Sequence, residues 1–371
     1  MTARIGLIVN PVAGMGGKFA LKGSDDRALV EDARARGAVP VAPARAVEAL
    51  RSLAAAAGEI ELLTYPGDMG EDEARAAQLE PVVLGSIGSN TTAADTRAAA
   101  TAMAERGADL LLFAGGDGTA VDVLEAVGAL VPVLGIPAGV KMHSAVFALN
   151  PRSAGELALR VARGSVRHFA EAEVMDVDEE ALRAGAVSAR LYGYLRIPVA
   201  RALVQTAKAR SGPAEEAAQD AIGRYVADTM LGDGAWMIGP GTTTRRIMEA
   251  LGLEKTVLGV DVVRGGKLVA LDADERTLLD LAAGGDSRIL VTPIGGQGFV
   301  FGRGNQQLSA RVIERVGPEN VVVVATEAKI AALGGRPLLV DTGDVHVDTV
   351  LAGYARVVTG HNREIVYRIA S

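Results

Sequence analysis

One stretch of the chain, DLLLFAGGDGTAVDVLEAV at residues 109–127, passes from a buried strand into a helix through a turn of three glycines and one aspartate. Its first part is continuously apolar, as in a strand buried on both faces, and its last part repeats apolar residues at helical spacing. Further apolar segments at residues 4–9, 60–63, 81–84 and 131–136 alternate with helical patterns. This alternation predicts an α/β fold with a parallel sheet covered by helices on both faces.

Two pairs of residues with capping-box spacing mark predicted helix starts in this part of the chain. Asp68 and Glu71 are three residues apart, as are Thr92 and Asp95, and each pair precedes a run rich in alanine. In a capping box, the two side chains bond reciprocally to each other's main-chain N–H groups. We therefore predict helices that begin at both places.

The remainder of the chain is richer in strand patterns. A chain of 371 residues exceeds one ordinary core, so two domains are expected. After about residue 163, strand patterns dominate, and VVRGGKLVAL predicts a hairpin that turns at Gly265 and Gly266. We predict an α/β domain at 1–163 and a β-rich, β-sandwich-like domain at 164–350. The hairpin pattern at 351–371 allows a packing back on the first domain.

Composition excludes several classes of protein. The net charge of −7 argues against broad nucleic-acid and anionic-membrane surfaces, which need clustered Lys and Arg. With no cysteine and four histidines, a His/Cys zinc site is not expected. The sequence has no apolar run of membrane-spanning length, and its first residues enter a strand without a signal-peptide pattern. We therefore expect a cytoplasmic protein.

The glycine turn is the first candidate for chemistry. In a parallel sheet, ligands bind at the carboxyl ends of the strands, where residues 115–119 are expected. Glycines let the main chain approach a phosphate, and the start of the following helix attracts anions. Asp117 would repel a phosphate unless it holds a metal or takes up a proton, so it indicates catalysis or magnesium organisation. The alternative is that Asp117 only caps the helix.

Two further loops of the first domain offer candidates. Residues 10–26 follow the first strand and contain Lys18 and Lys22, but the Walker-A order is absent, and a surface loop is the alternative. Lys141 and Ser144 stand at the head of a predicted helix, where a lysine can pair with a phosphate.

The later loops have structural alternatives as well. Residues 232–244 form a hydroxyl-rich turn into a helix, and its threonines could simply cap that helix. Residues 292–309 contain two glycine turns, an arginine and three amides, which hairpin turns alone would explain. Asp176 and Asp178 are either metal ligands or part of a solvated acidic face.

The motifs together resemble a known family. GGDGT after an apolar strand resembles the signature of the NAD kinase and diacylglycerol kinase superfamily. DGAWMIGPGTTTRRI is similar to the NAD kinase stretch written Asp-Gly…Thr-Pro-Thr-Gly-Ser-Thr-Ala-Tyr. With NPVAGMGGKFALKGSD, PAGVKMHSAVFALNP and PIGGQGFVFGRGNQQLS, the chain is most similar to the ATP-NAD kinase/AcoX branch over nearly all of its length.

The resemblance implies a site in the cleft between the two domains and phosphoryl transfer from ATP to a hydroxyl, with Mg²⁺ and with NAD as one acceptor. It implies that Asp117 is the catalytic residue. It does not identify the metal ligands. With the loops above, the nucleotide-binding candidates are Gly115, Gly116, Gly118, Thr119, Gly139, Lys141, Ser144, Gly239, Gly241, Thr242, Thr243 and Thr244. The candidates for contact with substrate or phosphate are Asn10, Gly16, Lys18, Lys22, Asp25, Arg303 and Asn305.

Two departures from the family pattern concern the acceptor. NAD kinases carry an Asn-Glu pair that grips the adenosine of the acceptor, whereas the comparable strand here reads LYGYLRIPVA. Arg245 and Arg246 replace the tyrosine that closes the second motif. We therefore predict weak phosphorylation of NAD and keep a small hydroxylated metabolite as the other acceptor.

Two other functions stay open at this point. A regulator that binds a nucleotide or NAD(H) without turnover would keep the glycine loops but would not need Asp117. A lipid kinase ranks last, because no amphipathic basic helix supports membrane docking. The expected partners are a nucleotide and a small-molecule acceptor, in a homo-oligomer that is a dimer or a tetramer.

Overall fold

A computed structural model describes residues 2–19, 27–88, 90–139, 142–177, 189–199, 213–230, 234–294 and 297–371. The chain divides into two compact units, Met1–Met15 with Gly23–Ala207, and Gly16–Lys22 with Lys208–Ser371. The first unit thus extends beyond residue 163, where we expected a boundary, and a short segment near the N-terminus groups with the second unit.

The first unit contains a five-stranded parallel sheet, which confirms the predicted α/β fold. Its strands are β1 (Ala3–Val9), β2 (Ile60–Thr64), β3 (Val82–Val83), β4 (Leu110–Gly115) and β5 (Val133–Pro137). Its helices are α1 (Arg27–Ala35), α2 (Ala42–Ala54), α3 (Glu71–Ala76), α4 (Ala93–Glu105), α5 (Asp117–Val127) and α6 (Pro151–Ala162). The strand order β3-β2-β1-β4-β5 reverses its direction of growth between β1 and β4.

Apolar side chains cover both faces of this sheet. Leu7 of β1 lies in a core with residues of α2 and α6, whereas its neighbour Ile8 lies in the opposite core with residues of α4 and α5. Both side chains are fully buried, and each contributes about 1.5–3 kcal/mol to stability. Burial on both faces explains why the strands are continuously apolar in sequence.

A two-stranded antiparallel sheet also belongs to the first unit. It consists of β6 (Phe169–Val177) and β7 (Ala189–Pro198). Val174 and Leu195 are fully buried in the core that contains α5. The strands at Phe169–Val177 and Ala189–Pro198, which we assigned to the second domain, therefore pack on a core of the first unit.

The two predicted capping boxes have different outcomes. At α4, Asp95 Oδ2 accepts the main-chain N–H of Thr92 at 2.8 Å, and the reciprocal bond is also present, so that box is confirmed. At α3 the prediction is wrong. The residue before the helix is Gly70, with φ of +133°, and Asp68 lies in a preceding 3-10 turn. A glycine can adopt this conformation, which a side chain would strain.

The second unit contains one nine-stranded mixed sheet, which confirms a strand-rich C-terminal part. Its strands are β8 (Ala235–Ile238), β9 (Asp261–Arg264), β10 (Lys267–Ala270), β11 (Ser287–Val291), β12 (Phe299–Phe301), β13 (Val321–Val324), β14 (Leu338–Val340), β15 (Gly353–Gly360) and β16 (Arg363–Ala370). The order is β10-β9-β8-β11-β13-β15-β16-β14-β12, and β8, β11, β13 and β15 are mutually parallel.

Helices cover both faces of this second sheet as well. They are α7 (Pro213–Thr229), α8 (Thr242–Ala250), α9 (Glu275–Ala282), α10 (Ala310–Val316), α11 (Glu327–Ala331) and α12 (Val345–Leu351). Met237 and Ile289 lie in a core with residues of α9 and α10, whereas Trp236 and Leu290 lie in a core with residues of α7 and α8. Successive strand residues thus alternate between two packed faces.

The second unit contains both hairpins that the sequence predicted, one at Gly265 and Gly266 and one at the C-terminus. The turn at Gly265 and Gly266 joins β9 to β10 as predicted. The C-terminal hairpin, β15 with β16, pairs with β13 on one side and β14 on the other, so it lies within the sheet of the second unit. Within the described ranges, no helix is long and apolar enough to cross a membrane.

Candidate active site

The glycine turn lies at the switch point of the first sheet, between the carboxyl ends of β1 and β4. Asn10 follows β1 directly, and its main-chain N–H donates to the carbonyl of Ala114 at 3.0 Å. Its side-chain Nδ2 donates to Thr119 Oγ1 at 3.0 Å. This position at the carboxyl edge confirms the prediction for residues 115–119, and it is where ligands bind in open α/β sheets.

Asp117 begins α5 and joins three segments of the chain. The residue is only 4% exposed. Its two carboxylate oxygens accept the main-chain N–H groups of His143, at 2.6 Å, and of Ser144, at 3.1 Å. The Ser144 hydroxyl in turn donates to the carbonyl of Met175 in β6 at 2.8 Å. The carboxylate therefore holds the segment after β5 against the start of α5.

Burial raises the pKa of Asp117 to about 7, far above the ordinary value of 3.8. Hydrogen bonds from Ser144 and His143 lower it in part, and the nearby carboxylate of Asp176 raises it further. Desolvation penalises the charged form, and it is the largest of these effects. Such a pKa, near neutral pH and set by burial, is typical of functional carboxyl groups.

Close packing inside the first unit accounts for the first two glycines of the turn. A Cβ on Gly115 would overlap the side chain of Thr119, and a Cβ on Gly116 would lie 3.2 Å from the Cα of Gly139. The N–H of Gly139 donates to the Gly115 carbonyl at 3.0 Å, so the loops after β4 and β5 are in contact. The first unit thus brings the predicted catalytic residue Asp117 into one region with three predicted nucleotide-binding residues, Thr119, Gly139 and Ser144.

For Asp176 the sequence left two alternatives, a metal ligand or part of a solvated acidic face. It lies near the end of β6 and is half-buried, and its Oδ2 would be 3.9 Å from a Cβ on Gly118. The acidic run around it favoured a solvated face, whereas the hydrogen bonds between Ser144 and Met175 hold this end of β6 beside the turn. Asp178 lies outside the described residues. In the part of the chain that the structure describes, no group of three or more metal-ligating side chains could hold an ion.

Of the three lysines predicted to bind phosphate, only Lys18 lies among the described residues. Lys18 belongs with the second unit, where its Nζ lies 3.4 Å from Glu275 Oε1, and Gly16 belongs to the same short segment. Lys22, Asp25 and Lys141 lie outside the described residues.

The second predicted nucleotide-contacting turn joins β8 to α8 in the second unit. The hydroxyl of Thr244 is buried and donates to the carbonyls of Gly239 and Gly241, at 2.8 and 3.0 Å. Gly241 has φ of +143° and precedes the helix without a side-chain cap. Thr242 and Thr243 form the first turn of that helix, so the predicted residues do form one strand–turn–helix segment.

Arg303 and Asn305 have local partners in the second unit. Arg303 Nη1 lies 2.7 Å from Asp341 Oδ2 and donates to the Gly302 carbonyl at 3.0 Å, and its guanidinium lies over the Phe299 ring. Asn305 Nδ2 donates to the Val300 carbonyl at 2.8 Å. These contacts support a role for both residues in building the turn after β12.

Comparison with known proteins gives two matches, one for each part of the chain. The model of the ATP-NAD kinase N-terminal domain matches residues 5–166, and that of the ATP-NAD kinase C-terminal domain matches residues 233–369. Searches of curated proteins and of solved structures gave no match.

Proposed function

The chain belongs to the ATP-NAD kinase family, and on that premise we propose that it transfers a phosphoryl group from ATP to a hydroxyl, with Mg²⁺, on NAD or on a small hydroxylated metabolite. The observation that carries the proposal is Asp117. It is a buried carboxyl group at the switch point of a parallel sheet, with a pKa near 7. A general base is most effective when its pKa lies near the working pH.

We assign Asp117 the task of orienting and deprotonating the acceptor hydroxyl. The N–H groups of His143 and Ser144 fix the direction of the carboxylate, and each oxygen keeps a lone pair that can accept the hydroxyl proton. Phosphoryl transfer depends mainly on positioning and on neutralising charge. A fixed carboxylate next to three glycines supports both the orientation of a hydroxyl and the approach of a phosphate.

Asp117 and Asp176 are the residues that would hold the magnesium ion. Carboxylate oxygens suit Mg²⁺, which is usually held by one or two carboxylates together with the phosphates of a substrate. The charge of Asp176 raises the pKa of Asp117, and a cation between the two would relieve that repulsion. Bound there, the ion supplies positive charge to the phosphate oxygens.

Of the two acceptors, the small hydroxylated metabolite is favoured over NAD. The Asn-Glu pair expected for an adenosine grip is absent from LYGYLRIPVA. Arg246, near the position of the missing tyrosine, forms exposed ion pairs with Glu249 at 3.0 Å, Asp220 at 3.4 Å and Glu216 at 3.5 Å. Those contacts give Arg246 a place on the helix surface and no evident part in gripping NAD.

A second candidate is a regulator that binds a nucleotide or NAD(H) without turnover. One observation favours it: both oxygens of Asp117 already accept main-chain N–H groups, as a purely structural anchor would. The two functions differ in what they require of Asp117, because only the kinase needs a carboxylate that can take up a proton.

Asp117→Asn separates the two functions. We expect turnover to fall by about 10²–10⁴-fold. One lost hydrogen bond costs about 1–3 kcal/mol, but the burial of a charge is relieved, so the melting temperature should stay within a few degrees. Turnover is measured as ADP formation with ATP, Mg²⁺ and a panel of NAD, NADH and small polyols. NAD should yield little NADP.

Glu125→Gln is the matched control, because Glu125 is an exposed carboxylate on the same helix. It should turn over and melt like the wild type. An Asp117→Asn variant that also does both would contradict the kinase mechanism. If the wild type binds ATP but no acceptor in the panel is phosphorylated, the regulator is supported instead.

A further inference from the structure

The antiparallel ribbon of β6 and β7 packs one face on the first core and presents the other face outward. Val174 and Leu195 are fully buried in that core, whereas Tyr194, at an alternate position of β7, is 48% exposed. Exposed large apolar and aromatic side chains are concentrated on β7 and just after it, at Leu191, Tyr192, Tyr194 and Val199. Such a concentration marks an interaction surface.

The outer face of the ribbon also carries charges of both signs. Glu171 of β6 lies directly opposite Arg196 of β7, and Glu173 lies directly opposite Tyr194. Within the described ranges, neither these glutamates nor Arg196 belong to an ion pair. Their charges are therefore available to a partner.

Two arginines of this face lie over aromatic rings. The guanidinium of Arg196 is 5.5 Å from the centroid of the Phe169 ring, and that of Arg190 is 5.3 Å from the centroid of the Tyr192 ring. A cation over a ring is held by electrostatic attraction, so these side chains lose less freedom when a partner binds. Arginine and tyrosine are also among the residues that contribute most to the energy of protein interfaces.

We propose that the outer face of the ribbon binds the same face of a second copy of the chain. With a two-fold axis parallel to the strands, β6 of one copy lies over β7 of the other. Residues that are opposite each other within one ribbon then face each other between the copies. Glu171 thus lies over Arg196 of the second copy, and Glu173 lies over the Tyr194 hydroxyl of the second copy, which donates to it.

The distribution of charge favours a second copy over another partner. The glutamates are on β6 and the arginines are on β7, at matching heights along the ribbon. A partner of one sign would meet like charge on one of the two strands, which is costly, whereas a copy turned by the two-fold axis meets opposite charge on both. This proposal goes beyond the proposed function, because it concerns association and needs no phosphoryl transfer.

The size of the ribbon sets the strength of the dimer. Its strands have 9 and 10 residues, so the face is about 30 Å long and about 10 Å wide before its side chains are counted. Two such faces bury about 800–1,000 Å² of accessible surface, which is the low end for a specific dimer. We therefore expect a dimer that dissociates at micromolar concentration and weakens with added salt.

The test is sedimentation of the intact protein at about 1–100 µM, where a weak interface dissociates. Glu171→Arg and Arg196→Glu each place like charges over one another on both sides of the axis, so each should raise the dissociation constant by at least about 10-fold. An equimolar mixture of the two variants should restore the dimer, because in a mixed pair every arginine again lies over a glutamate. Tyr194→Ser should weaken the dimer by about 10-fold, through loss of an aromatic contact in each copy.

The matched controls lie on the hairpin of β15 and β16. Arg356→Glu and Glu364→Arg reverse an exposed pair whose nitrogen and oxygen are 3.9 Å apart, and Tyr354→Ser removes an exposed tyrosine. All three should associate like the wild type. Melting temperatures check that each variant is folded, and if Arg196→Glu melts early, Glu171→Arg and Tyr194→Ser decide.

Three results would overturn the proposal. They are a wild type that stays monomeric over the whole range, ribbon variants that associate like the wild type, and a mixture of the two reversed variants that does not associate. If a further face makes the wild type a tetramer, the ribbon variants should fall to dimers and the mixture should return to tetramers. Asp117→Asn should associate unchanged, so a failure of phosphoryl transfer is distinguishable from a failure of this interface.

Discussion

The burial of Asp117 predicts that the stability of the protein falls as the pH rises from acid to neutral. Its pKa is raised in the folded protein, so the folded state holds a proton that the unfolded state has lost. The stabilising contribution of that proton is full below pH 3.8. It is lost as the pH rises through the folded value of about 7.

The magnitude follows from the two pKa values. A rise from 3.8 to about 7, at 1.36 kcal/mol per pKa unit, corresponds to about 4 kcal/mol over the whole range. Between pH 4.5 and pH 8 the unfolded carboxyl is already mostly ionised, so the accessible part is about 3 kcal/mol. That amount is a large share of the stability of an ordinary domain.

Urea unfolding at pH 4.5, 6 and 8, in the presence of EDTA, measures this effect for the wild type and for Asp117→Asn. The difference in free energy of unfolding, wild type minus variant, should decrease by about 3 kcal/mol from pH 4.5 to pH 8. Asp280→Asn, which removes an exposed carboxylate, serves as the control. A difference that stays constant within about 1 kcal/mol would refute the reasoning that charge burial sets this pKa.

Two further substitutions test the packing of each unit by urea unfolding. Lys255→Met should cost about 3–5 kcal/mol, because Lys255 Nζ lies 2.8 Å from the fully buried Asp261, which would be left as an unpaired charge; an effect no larger than that of the exposed Lys267→Met would contradict this. Gly155→Ala should cost at least about 1–3 kcal/mol, because its methyl group would overlap the Ala49 carbonyl where α6 crosses α2; unchanged stability would mean that the two helices separate freely.

Local patterns in the sequence predicted local structure well. The turn between β4 and α5, the capping box of Thr92 and Asp95, and the hairpin at residues 265–266 each depend on a few adjacent residues. The predicted capping box at the start of α3 was wrong, because one neighbouring residue outweighed the spacing. Asp68 and Glu71 have the right spacing, but the positive φ of Gly70 begins the helix later than the spacing suggested.

Such local patterns could not predict which residues far apart in the sequence lie close together in the structure. The alternating residues of β6 and β7 fit either unit, and only the burial of Val174 and Leu195 shows which core they cover. Asp176 reaches the turn through that sheet. Lys329 Nζ donates to the hydroxyl of Thr243 at 3.0 Å, although the two residues are 86 positions apart, and no spacing rule connects a lysine in one short helix with a threonine at the start of another.

The described part of the short N-terminal segment, residues 16–19, has a consequence for how the protein is made. It leaves the ribosome early, yet its partners come much later: a Cβ on Gly17 would lie 2.9 Å from Gln306, and Lys18 pairs with Glu275. Because chains fold progressively from the N-terminus during synthesis, these contacts must wait for about 250 further residues. A nascent or truncated chain that ends before β8 would therefore leave Gly17 and Lys18 without these partners, and only completion of the second unit supplies them.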